Sequence, residues 1–501
     1  MRRPAPQCRG RFAGRTVARL GFVALGGLIA LAAPATVAAH QLTGRFTSPI
    51  PLGAYLLGAA LAVGVSFAIV FVRDPGALVV RATEVPERVV RVARPVRAVL
   101  TGVGLLGWGW VIAEVVAGGR SEGDAASLFL WTYGWVGLVL VSAFIGPAWT
   151  WLDPFASLYR AAVAIVRRVG LTGGEPATYP ERLGRWPAVI GFAVFVWMEL
   201  ALPATRSGRT LGLVLLAYTV LTLVAMAQFG RETWRRNGEV FSVWFGLVGR
   251  LAPLALLRPG EPAGGSDGRP ERLRVHRFAA GLLEPGTDLG ALVLVALSTG
   301  AILFDGLSQT QLYFDLFGVP TTVEQTVLLF GWLAIVVGLV LAVGRIVETR
   351  PLVAGLIPIA VGYLIAHYLT FVLFDSQRIL LTLTDPLGLG WDLLGIGEFE
   401  PATAWLPGSV AWSLQLVAVV GGHVVGAWAG HTVALREAAG PDGTVPETEA
   451  RVVRRRQVPL ALLMVGLTTL TLWSLGQAIV VTTDTSAGCV GPGGACVSSG
   501  S

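Results

Sequence analysis

LVAGLIPIAVGYLIAHYLTFVLF (residues 352–374) and SVAWSLQLVAVVGGHVVGAWAGHTVA (residues 409–434) contain no Asp, Glu, Lys or Arg. An α-helix needs about 20 apolar residues to cross a hydrocarbon core of about 30 Å, and both runs are long enough. Between them lies an acidic loop, 375–408, with Asp375, Asp385, Asp392, Glu398 and Glu400. The two runs carry three of the chain's five histidines, His367, His423 and His431. Ionisable groups inside spanning helices are costly, so each is a functional candidate by default.

Similar runs recur along the 501 residues, which are 54% hydrophobic and 14% charged. Soluble domains carry about a quarter charged residues. The runs lack the alternation over about 10 residues that marks a transmembrane β-barrel. The fold class is therefore all-α, a polytopic integral membrane helical bundle. Ten spans are expected, near 52–72, 97–117, 127–149, 187–203, 210–229, 287–305, 322–344, 352–374, 409–434 and 457–482.

Residues 1–39 have the form of a secretory signal peptide, with a basic start (Arg2, Arg3, Arg9, Arg11, Arg15, Arg19), an apolar stretch 20–33 and small residues at 37–39. Cleavage after Ala39 would make His40 the first residue; an uncleaved anchor is the alternative. The net charge is +7, and every strong cation is arginine. If His40 starts outside, loops 73–96, 150–186, 230–286, 345–351 and 435–456 fall inside, and they hold the arginine clusters. That matches the positive-inside rule and argues against nucleic acid as a partner. The expected location is the plasma membrane, with the lipid bilayer as partner and both mature termini extracytoplasmic. The Gly-rich tail 483–501 then lies outside, where Cys489 and Cys496 could form a disulfide. Two inner segments stand apart. Phe155–Val169 alternates apolar and basic positions and is expected along the membrane surface. Residues 239–257 are apolar but interrupted by Arg250 and Pro253, and read as interfacial or re-entrant. Residues 258–286 read as an inner linker, flexible over 258–277, with His276 solvated.

With this orientation, Glu114, Glu199, Asp305 and Asp375 lie near the outer ends of their spans. His367 sits roughly 10–12 Å below Asp375 by helix rise. An N-terminal His40 offers its α-amine and a ring nitrogen to one metal. One further imidazole would complete a nitrogen site suited to copper, whereas carboxylates would shift it toward zinc, iron or manganese. Asp305, Asp375 and His367 are the candidates to complete it, with Asp305 or Asp375 as ligand or catalytic base. His423, near the middle of its span, is a further metal candidate. His431 lies about 12 Å along the same helix and about 80° around it, so one ion cannot be held by both. Bland readings stand beside these. His367 suits a hydrogen-bonded core histidine and His431 a satisfied interfacial one. Glu114 and Glu199 suit helix caps, and Asp305-Gly306-Leu307-Ser308 suits a turn. Gly421, Gly422, Gly426 and Gly430 suit a helix-packing face. No nucleophile elbow, phosphate loop, HExxH or Rossmann signature appears in a fitting context.

Several blocks, taken together, resemble a known family. They are His40 with Arg45 and Pro49–Leu52; Trp131-Thr-Tyr-Gly-Trp-Val-Gly137; Tyr179-Pro-Glu-Arg-Leu-Gly-Arg-Trp186; Ala366-His-Tyr through Phe374-Asp-Ser-Gln377; and Gly422-His-Val through Gly430-His431. The likeness is to bacterial multi-pass membrane proteins labelled fenitrothion hydrolase-like, and it runs from His40 to about Leu435. It implies cleavage of a lipophilic organophosphate-type ester. Three functions are thus expected: a metal-dependent membrane hydrolase acting at the outer face, a transporter or metal-handling permease, or a non-catalytic subunit of a membrane complex. The ligand would be a small lipophilic molecule or a metal ion.

Overall fold

A computed structural model describes residues 52–72, 83–85, 87–117, 125–170, 174–257, 272–440 and 444–476. The expected signal peptide, His40 and the cysteine-bearing tail lie outside the described residues. The described chain is nearly all-α. Among the described residues, nine helices are long and apolar enough to cross a membrane. The first expected span, 52–72, is the helix α1 (Leu52–Val72), of which Leu56–Ile69 forms a shorter apolar stretch.

The others follow in order. They are α2 (Glu87–Ala117), α3 (Ala125–Phe144), α4 (Pro154–Arg168), α5 (Trp186–Ala201), α6 (Gly208–Phe229), α7 (Arg231–Asn237) and α8 (Val240–Val248). Then come α9 (Leu289–Ser308), α10 (Gln311–Phe317), α11 (Thr322–Gly344), α12 (Thr349–Asp375), α13 (Ile379–Thr384), α14 (Gly408–Ala438), α15 (Glu447–Arg456) and α16 (Val458–Leu475). The third span is shorter than expected because the helix stops at Phe144. Gly146, at φ 156°, turns the chain there.

The bundle is organised around α9 and α12. Of the most apolar window of α9, 94% is buried, against 22% for α11 and 11% for the span in α2. The outer helices therefore present apolar surface outward, as a bilayer requires, while α9 and α12 form the centre. The seam between α12 and α14 is built on glycine. A Cβ on Gly422 would stand 2.6 Å from the Pro358 carbonyl oxygen, and one on Gly426 2.4 Å from that of Gly355. Gly430 faces Pro351 in the same way at 3.1 Å, and Gly362 faces Ala418 at 2.5 Å. Small residues let two helix backbones touch, which is how helices associate where lipid offers no hydrophobic drive. The expected glycine face thus exists, but it is used inside the chain. Gly421 is not part of it, having no atom within 4 Å of a Cβ placed there.

Two expectations about the inner linker are corrected. Arg272–Val275 pairs antiparallel with Leu254–Leu257 on one side and Thr83–Glu84 on the other, forming a three-stranded sheet. His276 follows that strand and is buried, with its Nδ1 2.9 Å from the Arg277 carbonyl. Linker composition hid a long-range pairing. The segment 239–257 opens with α8, buried on nearly every side yet only nine residues long. At 1.5 Å per residue that is about 14 Å, too short to span. Its N-terminus is capped by Glu239, whose carboxylate accepts from the amides of Phe241 (3.1 Å) and Ser242 (2.6 Å).

Candidate functional site

Four helices bring polar side chains to one end of the bundle. Glu199 lies in the last turn of α5, Asp305 in the last turn of α9, and His367 with Tyr368 in the last third of α12. The stretch Leu128–Gly137 of α3 contributes Trp131 and Trp135, and it is π-helical over ten residues. π-Helical segments are rare and recur at functional sites, because the wider turn displaces side chains from their α-helical positions.

The geometry is close and directional. His367 Nε2 lies 2.8 Å from Asp305 Oδ2. Tyr368 Oη reaches the same oxygen at 2.8 Å and Glu199 Oε1 at 3.1 Å. Gln309 Nε2 donates to Asp305 Oδ1 at 3.0 Å. The rings of His367 and Tyr368 meet edge to face, centroids 4.6 Å apart. Asp305, His367 and Tyr368 are all buried. Asp305 is therefore an interior helical residue, not the turn that its Asp-Gly context suggests. Trp131, Trp135, Glu199, Asp305, Gln309, Tyr368 and Phe371 enclose a cavity with about 10 Å³ available to the centre of a water-sized sphere. That is room for about one water molecule.

Hydrogen-bond counting constrains what this cluster holds. A phenol has one proton, yet Tyr368 Oη contacts two carboxyl groups. Both contacts are hydrogen bonds only if one carboxyl donates, and so carries a proton. One arrangement that satisfies this runs from protonated Glu199 to Tyr368 to Asp305, with His367 donating to Asp305 from the other side. The cluster also stands at the C-terminal ends of α5 and α9. The carbonyl ends of two helices add negative potential to two carboxyl groups, which favours a cation or a proton there.

A second polar group lies one turn back along α12. His423 Nδ1 is 2.7 Å from the Val419 carbonyl, so that nitrogen carries its proton and Nε2 is the acceptor. Thr468 Oγ1 at 2.5 Å and Tyr363 Oη at 3.3 Å face Nε2. Tyr363 and His367 are four residues apart on α12 and share a face. Gly306 keeps α9 thin at this level. A Cβ there would meet Ser474 Oγ at 2.9 Å and His367 Cε1 at 3.7 Å.

The remaining sequence candidates are placed as follows. Asp375 ends α12 and pairs with Arg378 at 3.1 Å. It is eight residues from His367, about 12 Å along the axis, and so does not join the Asp305–His367 pair. His423 and His367 keep separate partners. His431 is buried with Nδ1 2.9 Å from Gln457 Oε1, a satisfied histidine. Glu114 is buried and accepts from the amides of Ala125 (2.7 Å) and Ala126 (3.1 Å), capping α3. Asp385 and Asp392 also serve backbone amides, of Leu389 and Gly390 and of Ile396 and Gly397. Among the described residues, no three His, Cys, Asp or Glu side chains lie close enough to hold a metal ion. His40 is not among them.

Sequence reasoning missed Tyr368, Gln309 and the two tryptophans, and it read Glu199 as a cap. It also missed a second buried charge cluster at the opposite end of the bundle. Asp153 caps α4 through the amides of Phe155 (2.8 Å) and Ala156 (3.2 Å) and pairs with Arg235 of α7 at 2.8 Å. Burial pushes the Asp153 carboxyl up to about 6, against the pull of Arg235. Glu239, fully buried, accepts from Tyr218 Oη at 2.6 Å and Trp149 Nε1 at 3.1 Å. Comparison of the chain with protein-family models, with curated proteins and with solved structures found no match.

Proposed function

We propose that this chain is a ten-span protein of the plasma membrane and that the Glu199–Tyr368–Asp305–His367 cluster is the proton-carrying site of a transporter. The observation that carries this is the single tyrosine hydroxyl shared by two carboxyl groups, that of buried Asp305 and that of Glu199. Such a cluster can hold a proton between its two carboxyl groups and pass it on without leaving a bare charge in the core. Intramembrane acid–histidine chains are the usual means of relaying protons in pumps and transporters. The arginine distribution supports an orientation with the cluster toward the outer face and the Asp153–Arg235 pair toward the inner face. His423, Tyr363 and Thr468 supply the next polar station along α12.

The test is proton flux into proteoliposomes, followed with an entrapped pH-sensitive dye under an imposed potential. Wild-type protein is expected to carry protons above the protein-free background. Asp305→Asn and Glu199→Gln are each expected to abolish that flux while leaving the protein monodisperse. Flux equal to wild type in both variants, or none in the wild type, removes the proposal.

A second reading rests on the His367–Asp305 pair beside a one-water cavity. That pair could act as a general base on water, and ester hydrolysis is the activity that the sequence resemblance to fenitrothion hydrolase-like proteins implies. Hydrolysis of a lipophilic aryl phosphotriester, lost in Asp305→Asn, would favour it. Copper or zinc bound by wild type and lost in His40→Ala would extend it to a metal-dependent site.

A further inference from the structure

A groove lies between α4 and α7, lined by Tyr159, Arg160, Val163, Ala164, Arg167, Arg231 and Glu232, with a volume of about 420 Å³. Residues 159, 160, 163, 164 and 167 follow helical spacing, so one face of α4 forms a whole wall. The opposite face carries Leu158, Ala162, Ile165 and Val169, and Ile165 and Val169 are 61% and 65% exposed. An amphipathic helix of this kind lies in the membrane interface with its apolar face toward the acyl chains. Its arginine face is thereby held at headgroup level.

The charges in the groove do not cancel. Arg231 pairs with Glu232 at 2.8 Å, and Glu232 also lies 3.6 Å from Arg235. Arg160 donates to Ser157 Oγ at 2.9 Å and makes no ion pair among the described residues. Among the described residues Arg167 makes no ion pair. Three guanidinium groups thus face one carboxylate. The two walls are fixed to each other, because the N-cap of α4, Asp153, is joined to Arg235 of α7 by a buried ion pair. The groove is a preformed basic recess at the surface of the bundle, at the end opposite the Asp305 cluster.

We propose that this groove binds the phosphate headgroup of an anionic glycerophospholipid from the inner leaflet. Arginine is suited to this ligand because its planar fork meets phosphate oxygens in pairs. Basic recesses at the cytoplasmic side of helical membrane proteins hold anionic headgroups in this way. The exposed apolar residues of α4 offer the adjoining surface for acyl chains. This proposal uses the orientation argued above and is independent of proton transport.

The experiment is native mass spectrometry of delipidated protein titrated with phosphatidylglycerol, and separately with phosphatidylcholine. The wild type is expected to retain phosphatidylglycerol and not phosphatidylcholine. In Arg160→Gln/Arg167→Gln, retention is expected to fall about 30-fold, at about five- to sixfold for each arginine. Arg345→Gln/Arg455→Gln removes the same charge from elsewhere on the same side and is expected to bind as wild type. Equal retention by the groove variant, or an equal loss in the control pair, overturns the site. Displacement of phosphatidylglycerol by inorganic phosphate at equal concentration assigns the groove to free phosphate and overturns the lipid.

Discussion

Adjacent glycines on α14 should respond to alanine in opposite directions. A Cβ at position 422 would stand 2.6 Å from the Pro358 carbonyl oxygen and 3.3 Å from Gly362 Cα. Ordinary contact begins near 3.4 Å, so the oxygen must recede by about 0.8 Å. Both contacting atoms are backbone, and no side chain can swing aside. The whole helix must shift, and overpacking of this kind costs about 1–3 kcal/mol. At position 421 nothing lies within 4 Å. There alanine relieves the backbone freedom of glycine in a helix, a gain of up to about 1 kcal/mol. Thermal unfolding in detergent, read by size-exclusion fluorescence, should place Gly421→Ala at or above wild type and Gly422→Ala clearly below it. Shifting α14 also draws His423 from Tyr363, so Gly422→Ala should impair function before it unfolds the protein. Equal melting of the two variants would refute the backbone seam.

Three further outcomes are expected. Tyr368→Phe removes a hydrogen bond to a charged group and should cost about 1.5–3 kcal/mol in unfolding, and proton flux per folded protein should fall as well; unchanged flux would exclude the hydroxyl from the path. Arg235→Met leaves Asp153 buried without its partner and should cost about 3–5 kcal/mol in thermal or denaturant unfolding. Adding Asp153→Asn, which still caps α4, should recover much of that loss, and no recovery would mean that the arginine acts through packing alone. Glu114→Ala strips two amides of α3 of their acceptor and should destabilise by about 0.5–2 kcal/mol, with melting the readout.

The helices were legible because lipid imposes a long apolar run on each of them, and the observed ends mostly fall within a few residues of those expected. Asp305 and His367 were legible for the same reason, since a charge is conspicuous where it is costly. Their partners were not. Tyr368 and Trp135 are ordinary in an apolar helix, and only the packing of α3, α5, α9 and α12 brings them to a carboxyl pair from distant parts of the chain. Glu199 carried a visible signal, but a carboxylate near a helix end suits a cap equally well, and Glu114 is such a cap. The glycines at 422, 426 and 430 follow a four-residue spacing that marks one face, and Gly421 falls about 100° away from it. The π-helical stretch has no compositional mark, because Leu128–Gly137 would suit an α-helix as well. His276 was misread because its strand partners, 254–257 and 83–84, lie far away in sequence.

The glycine seam has a mechanical consequence. Two helices whose backbones touch over several turns have no side-chain cushion to yield, so α12 and α14 act as one strut. His367, Tyr368 and His423 are mounted on that strut, whereas Glu199 and Asp305 belong to α5 and α9. Relative movement within the bundle is therefore expected between this rail and α5 and α9, and not between α12 and α14. The parts that disengage first are the Tyr368–Glu199 and His367–Asp305 contacts, at 3.1 and 2.8 Å. In the proposed proton-carrying reading, the cluster is then also the clutch, coupling or releasing the two halves of the bundle with its protonation state.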